Sequence, residues 1–187
     1  MEFELTDEQK LTRSTVREFA ENELAPIAAE IDREHRFPIE TLPKLAEHGL
    51  FGIPFPVEWG GAGLDHVSYA IALEEISRVC ATTGIIVETH TSLATSAIYA
   101  FGNEEQQKRY VPDLASGRKL ASFALTEAKA GTDAAQQEST ARREGDEYVL
   151  NGSKVFITDG NYSDVFVIFA KTNPDPALGT RGISAFI

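Results

Sequence analysis

The sequence predicts an α+β fold, with an all-helical region over residues 1–118 followed by β structure over residues 119–187. Three observations carry this expectation. Apolar residues recur at helical spacing in the first region, as in Leu11, Val16, Phe19, Leu24 and Ile27. After Lys119 the pattern changes to short apolar runs separated by turn dipeptides, among them Gly145-Asp146 and Asn151-Gly152. The composition, 42% hydrophobic and 25% charged over 187 residues, supplies enough apolar surface for a real core and so excludes a disordered chain.

Thr6 followed by Gln9 reads as a capping box, with Asp7 and Glu8 in the first turn of a helix that Pro26 should kink or break. A second helix is expected from Pro38 to Gly49, with Pro43 in its first turn and Gly49 as its cap. Phe51 to Gly63 holds Pro54, Pro56, Gly52, Gly60 and Gly61 and reads as an ordered loop. Ile71, Leu73, Ile76 and Val79 place a helix over Ser68 to Val79. Thr82 to Gly102 is almost uncharged, with Glu88 and His90 as its only possible charges, and predicts a helix buried on nearly all sides. Glu104 to Leu114 predicts a polar-faced helix, and Gly117 ends the helical half. Strands are expected at Ala121–Leu125, Ser139–Arg143, Glu147–Leu150, Lys154–Ile157, Val165–Lys171 and Gly182–Ile187. The sequence stops inside the last of these, on Ala-Phe-Ile with no polar tail, so a fragment or truncation is expected.

The net charge of −12, with Lys and Arg scattered among acids, argues against a nucleic-acid partner. Cys80 is the only cysteine and lies in an apolar helical pattern, which favours a buried structural thiol over a nucleophile. No apolar run approaches the ~18 residues of a membrane span, and Met1 leads straight into a helix start with no signal peptide. A cytoplasmic, reducing compartment is the default expectation.

The segment with chemistry to offer is Thr126-Glu127-Ala128-Lys129-Ala130-Gly131-Thr132-Asp133, between two strand-like runs. Small residues let backbone approach a flat or phosphorylated ligand, and successive N–H groups and hydroxyls bind a polar ring edge or a pyrophosphate. Composition alone fits an ordinary polar turn better. The order of residues weighs the other way. Ala124, Leu125, Thr126, Glu127, Ala130, Gly131, Thr132 and Asp133 resemble the signature of the acyl-CoA dehydrogenase family. Phe51-Gly52-Ile53-Pro54, Pro56 to Gly63, His90-Thr91-Ser92-Leu93, Phe101 to Gln106 and Asn151 to Thr158 are similar to family stretches in the same order, so the resemblance spans the chain and is closest to short-chain members. Ala128 stands where the family often has Pro, Gln136 where a small residue is usual, and Phe156 where Trp is frequent.

This resemblance implies a three-domain protein, of which the chain matches a helical domain and part of an antiparallel, β-barrel-like middle domain, without the C-terminal four-helix bundle. It implies FAD as cofactor, held by Phe123, Leu125, Thr126, Gly131 and Thr132 and by a second segment, Phe156, Ile157 and Thr158. Leu125 and Thr126 would meet the polar edge of the isoalloxazine. Gly131 and Thr132 would lie near the ribityl and pyrophosphate, with Thr132 also near the CoA arm of the substrate. Phe156 would pack on the ring, and the Thr158 hydroxyl would bond near N5. The implied reaction is α,β-dehydrogenation of a short-chain acyl-CoA, with electrons passed to an electron-transfer flavoprotein and the enzyme a homotetramer. Alternatives are a non-catalytic flavin or acyl-CoA-binding relative, or an acyl-CoA oxidase. The family's general base, usually a Glu, belongs to the bundle beyond Ile187. Within the chain, Glu88 and His90 read as structural rather than catalytic. Glu127 and Asp133 read as organisers of the loop, Asp133 by capping local N–H groups.

Overall fold

A computed structural model of the protein describes residues 4–187. It divides into two compact units, one ending at Leu120 and the other running from Ala121 to Ile187. Met1 lies outside the described residues, and with it the reading of how the chain begins.

Helix α1, Asp7–Phe19, starts on the expected capping box. Gln9 N–H donates to the Thr6 hydroxyl at 3.2 Å, and the Thr6 N–H donates to the Gln9 side chain at 3.0 Å. The break at Pro26 takes the form of a π-helical turn, Ala20–Leu24, in front of α2, Ala25–Glu34. Proline has no N–H for the carbonyl four residues back and crowds it. The ladder widens there, and the Ala25 N–H reaches the Ala20 carbonyl. Helix α3, Thr41–Glu47, is shorter than the sequence suggests. The Pro38 carbonyl accepts from both the Thr41 N–H and its hydroxyl, which starts the helix late, and Gly49 at φ 67° turns the chain away. The loop after it is tight. A Cβ on Gly61 would come within 2.1 Å of the Phe55 carbonyl oxygen.

Helix α4, His66–Val79, is capped by Asp65, whose carboxylate accepts from the Ser68 N–H at 2.7 Å. It packs on α1 and carries Glu75, a buried carboxylate gripped by two bonds from Arg17 at 2.9 and 2.7 Å. Cys80 is buried between α4 and α5, Ala81–Glu88, and accepts a bond from the Thr83 hydroxyl at 3.2 Å, consistent with a structural thiol. The single helix expected over Thr82–Gly102 is divided into α5, a π-helical turn at Thr89–Thr95 and α6, Ser96–Phe101. Nor is it buried on nearly all sides: Ile85, Leu93 and Phe101 are exposed. The periodicity hides this because the exposed positions are apolar too. Helix α7, Glu104–Ala115, opens on a second capping box, Asn103 with Gln106. Leu24, Leu45, Phe51, Ile76, Ile86 and Val87 form the heart of the core.

The second unit is a five-stranded sheet: β1 Ala121–Ala124, β2 Thr140–Glu144, β3 Glu147–Asn151, β4 Val165–Lys171 and β5 Ile183–Phe186. The sheet is mixed rather than wholly antiparallel. β1 lies parallel to β4 with Ala121 opposite Val165, while β2–β3 and β4–β5 are antiparallel. Lys154–Ile157 is not a strand, because Phe156 at φ 56° and Asp159 at φ 62° leave the β region and turn the chain back. Among the described residues no helix is long and apolar enough to cross a membrane, and no cluster of His, Cys, Asp and Glu is arranged to hold a metal.

Candidate functional site

The sheet brings the two segments singled out in the sequence side by side. Strand β1 carries Phe123, half-buried, with its ring 5.0 Å from that of Phe169 on β4. The chain leaves the strand through Leu125 and Thr126, both half-buried. From the other segment, the Val155 N–H donates to the Thr126 carbonyl at 2.9 Å, and the Lys154 ammonium donates to the Leu125 carbonyl at 3.0 Å. A third link joins the strand to the far end of that segment: the Ser122 hydroxyl donates to the Thr158 carbonyl at 2.6 Å and meets the Ser163 hydroxyl at 2.7 Å.

Between these links Phe156 is bulged outward, 93% exposed and at positive φ. A bulky aromatic in the left-handed region costs on the order of 1–3 kcal/mol, and such strain clusters at ligand clamps. Ile157 and Thr158 are half-buried behind it. Five sequence-predicted residues, Leu125, Thr126, Phe156, Ile157 and Thr158, thus sit on two adjoining segments. Gly131 and Thr132 are exposed, and no hydrogen bond among the described residues ties them to the 156–158 segment. They belong to the turn that follows, closed by reciprocal backbone bonds of 3.0 Å between Glu127 and Ala130. A Cβ on Gly131 would meet nothing within 4 Å.

Glu127 is the anchor of that turn. Its buried carboxylate accepts from the Glu138 N–H at 2.5 Å, the Ser139 N–H at 3.1 Å and the Lys154 ammonium at 2.7 Å. Burial opposes its ionisation, but Lys154 and these N–H donors outweigh burial and hold its pKa down at about 2. Lys154 also donates to the Gln137 side chain at 2.9 Å, so one ammonium joins three backbone stretches. Asp133 caps the short 3₁₀ turn Ala134–Gln136 through the Ala135 N–H at 3.1 Å.

Three residues near this site were not given roles from the sequence. Ser122 and Lys154 act through partners distant in the chain, so no local pattern marks them. Asp159 follows Thr158 directly, and is buried with its Oδ2 lacking a hydrogen-bond partner. Burial pushes its pKa up to about 7.

His90 and Glu88 of the helical unit have structural partners rather than a second site. The His90 ring is fully buried, bonds the Leu114 carbonyl at 3.1 Å and packs edge-on against Phe51. Burial pushes its pKa down to about 4, so it is a neutral packing residue at physiological pH. Glu88 accepts from the Ser92 hydroxyl at 2.6 Å, one turn on.

A planar ligand with one polar edge fits this arrangement. The Thr126 N–H meets no acceptor among the described residues, the Phe156 ring presents an uncovered face, and the Gly131 turn leaves room for a close backbone approach. Comparison with known proteins identifies the family. Residues 6–118 match the family model described as acyl-CoA dehydrogenase, N-terminal domain, and residues 122–187 match acyl-CoA dehydrogenase, middle domain. The short-chain-specific acyl-CoA dehydrogenase of Clostridium acetobutylicum is 56% identical over 187 residues, which are 100% of this chain and 49% of that protein. A solved structure from work on the electron-transferring flavoprotein of Acidaminococcus fermentans superposes with a TM-score of 0.95 at 46% identity, covering 100% of this chain and 48% of that one. The FAD complex of a Bacillus anthracis acyl-CoA dehydrogenase superposes with a TM-score of 0.84 at 40% identity, over 90% of this chain and 29% of that one. The chain spans about half the length of the curated relatives it matches. With both of its units matched by the corresponding domain models, the chain belongs to the acyl-CoA dehydrogenase family.

Proposed function

We propose that this chain supplies the helical domain and the flavin-holding β domain of an FAD-dependent acyl-CoA dehydrogenase. The observation that supports this most is the pairing of Leu125–Thr126 with Lys154–Val155 beneath the exposed Phe156 ring. In this reading the Leu125–Thr126 backbone meets the polar edge of the isoalloxazine, and Phe123 and Phe156 bound it with apolar surface. Ile157 and Thr158 flank the ring, and Gly131 and Thr132 lie along the ribityl and pyrophosphate, with Thr132 also facing the CoA arm. FAD, when bound, supplies the acceptor for the hydride that leaves the β-carbon of the thioester. The protein's task is to orient the ring, exclude water and present donors.

Glu127, His90 and Asp159 do not suit the general base that removes the α-proton. Glu127 is held ionised by Lys154 and two backbone donors, with a pKa far below the range of an effective base at neutral pH. His90 is sealed in the helical core. Asp159 has a suitably raised pKa, yet its carboxyl is buried and does not face an open surface. In this reading the base is the Glu that the family resemblance implies outside the residues matched here.

A short acyl chain is the proposed substrate class, on the basis of the 56% identity to a short-chain-specific relative. An electron-transfer flavoprotein is the proposed acceptor and a homotetramer the proposed assembly. The test is anaerobic addition of butyryl-CoA to the full-length protein reconstituted with FAD. Bleaching of the flavin absorbance is expected. Protein that stays colourless after reconstitution sinks the reading. Flavin that stays oxidised with every acyl-CoA tried points to a non-catalytic relative, and rapid peroxide production in air points to an oxidase.

A further inference from the structure

We propose that Lys154 is a positioning residue that acts on the flavin through the Leu125–Thr126 peptide. This rests on the flavin site proposed above and adds a residue to it. The ammonium is largely buried and has three acceptors: the Leu125 carbonyl at 3.0 Å, Glu127 Oε1 at 2.7 Å and Gln137 Oε1 at 2.9 Å. Two of these hold it in place; the third is the peptide group that leads into Thr126.

A trans peptide is planar, and its C=O and N–H point in opposite directions. The structure has no cis peptide among the described residues. Lys154 therefore sits behind the Leu125–Thr126 peptide, and the Thr126 N–H points away from it. That N–H has no acceptor among the described residues. A cation bonded to the carbonyl oxygen draws electron density out of the amide, and this polarisation strengthens the N–H as a donor on the other side. Burial matters, because in a water-poor setting the effect is not screened. Next in sequence, the Val155 N–H donates to the Thr126 carbonyl, fixing the orientation of the following peptide. Lys154 and Val155 together hold both peptides flanking Thr126.

The consequence is electronic. Reduction of a flavin puts negative charge on its pyrimidine edge, so a stronger donor there favours the reduced form and raises the reduction potential. Glu127 moderates this, because its carboxylate pairs with the same ammonium. The two residues then pull in opposite directions. Lys154→Met removes the polarising cation and should lower the potential. Glu127→Gln leaves the cation on the Leu125 carbonyl without its counter-charge and should raise the potential. A residue that merely braces the loop predicts lower stability for both variants and no change of potential in either.

The experiment is dye-equilibrated reduction of the FAD-loaded full-length protein, wild type against Lys154→Met, Lys154→Arg and Glu127→Gln, with thermal unfolding of each alongside. At a fixed dye potential, Lys154→Met is expected to shift the oxidised-to-reduced ratio about tenfold toward oxidised, or ~30 mV for a two-electron couple. Glu127→Gln should shift it the other way, and Lys154→Arg should stay near wild type. If Lys154→Met cannot retain FAD, the direction of the Glu127→Gln shift decides alone. Lower melting temperatures with unchanged ratios overturn the proposal while leaving the flavin site standing. Wild-type protein that binds no FAD removes the site itself and the proposal with it.

Discussion

Glu127 and Asp159 are two carboxylates of the same β unit whose surroundings drive them in opposite directions. Glu127 has its folded pKa depressed to about 2, below the ~4.3 of an unfolded Glu. Its contribution to stability is present above the unfolded value and is lost as pH falls through about 2. Asp159 has its folded pKa raised to about 7, above the ~3.9 of an unfolded Asp. Between those values the native state holds a proton that the unfolded state has released. Its contribution is therefore complete below the unfolded pKa and disappears as pH rises through about 7. Between about pH 4 and 6.5 the Asp159 loss is opposed by His90, whose folded pKa of about 4 lies below its unfolded ~6.5, so the Asp159 contribution is read from a variant rather than from the wild type. Below about pH 4, urea unfolding of the wild type should show stability falling, with Glu127 one of the depressed carboxylates responsible. Asp159→Asn keeps the size of the side chain and removes the charge. It should raise the urea midpoint at pH 8 clearly more than at pH 5. Equal shifts at both pH values would mean that Asp159 is not protonated in the native state.

At the scale of elements, the parts fixed by near neighbours were readable from the sequence and the parts fixed by distant partners were not. The Thr6–Gln9 box depends on a spacing of three residues, and it forms with both of its bonds. Thr6→Ala should cost about 1 kcal/mol, read as a lower urea midpoint with an unchanged slope. Lys154–Ile157, by contrast, has strand-like residue types, but Phe156 is held at positive φ by links on either side of it, from Val155 to Thr126 and from Ser122 to Thr158. Those links span 29 and 36 residues and leave no local trace. The parallel pairing of β1 with β4 was hidden for the same reason: both strands read as short apolar runs in either orientation. Gly152 shows what such tertiary packing demands. At φ 154°, a Cβ placed there would lie 2.1 Å from the Ser139 hydroxyl oxygen and 2.7 Å from the Ser139 Cα. Gly152→Ala should destabilise the β unit by about 2 kcal/mol or more, because backbone as well as side chain must move. A thermal shift indistinguishable from zero would show that the β2–β3 hairpin yields freely at this point.

At the scale of the molecule, what matters is which parts of a flavin this chain is able to cover. The residues assigned to the ring edge are backed by hydrogen bonds inside the β unit, so their geometry does not wait for the ligand. The residues on the open side have no such cover: Phe156 is 93% exposed, and Gly131 and Thr132 are exposed as well. A ligand seated on them buries its edge against preformed groups and leaves much of its remaining surface in water. Affinity for a ligand of this size depends on burying most of that surface, so the edge alone supplies only part of the binding energy. The residues matched here make up about half of the curated relatives. The 187-residue chain by itself is therefore expected to bind FAD weakly, at micromolar affinity or poorer, and to lose it on gel filtration, whereas the full-length protein retains it. Equilibrium dialysis of both against FAD measures the difference. Tight, stoichiometric FAD on the isolated chain would show that cover from the rest of the protein is not needed to hold the cofactor.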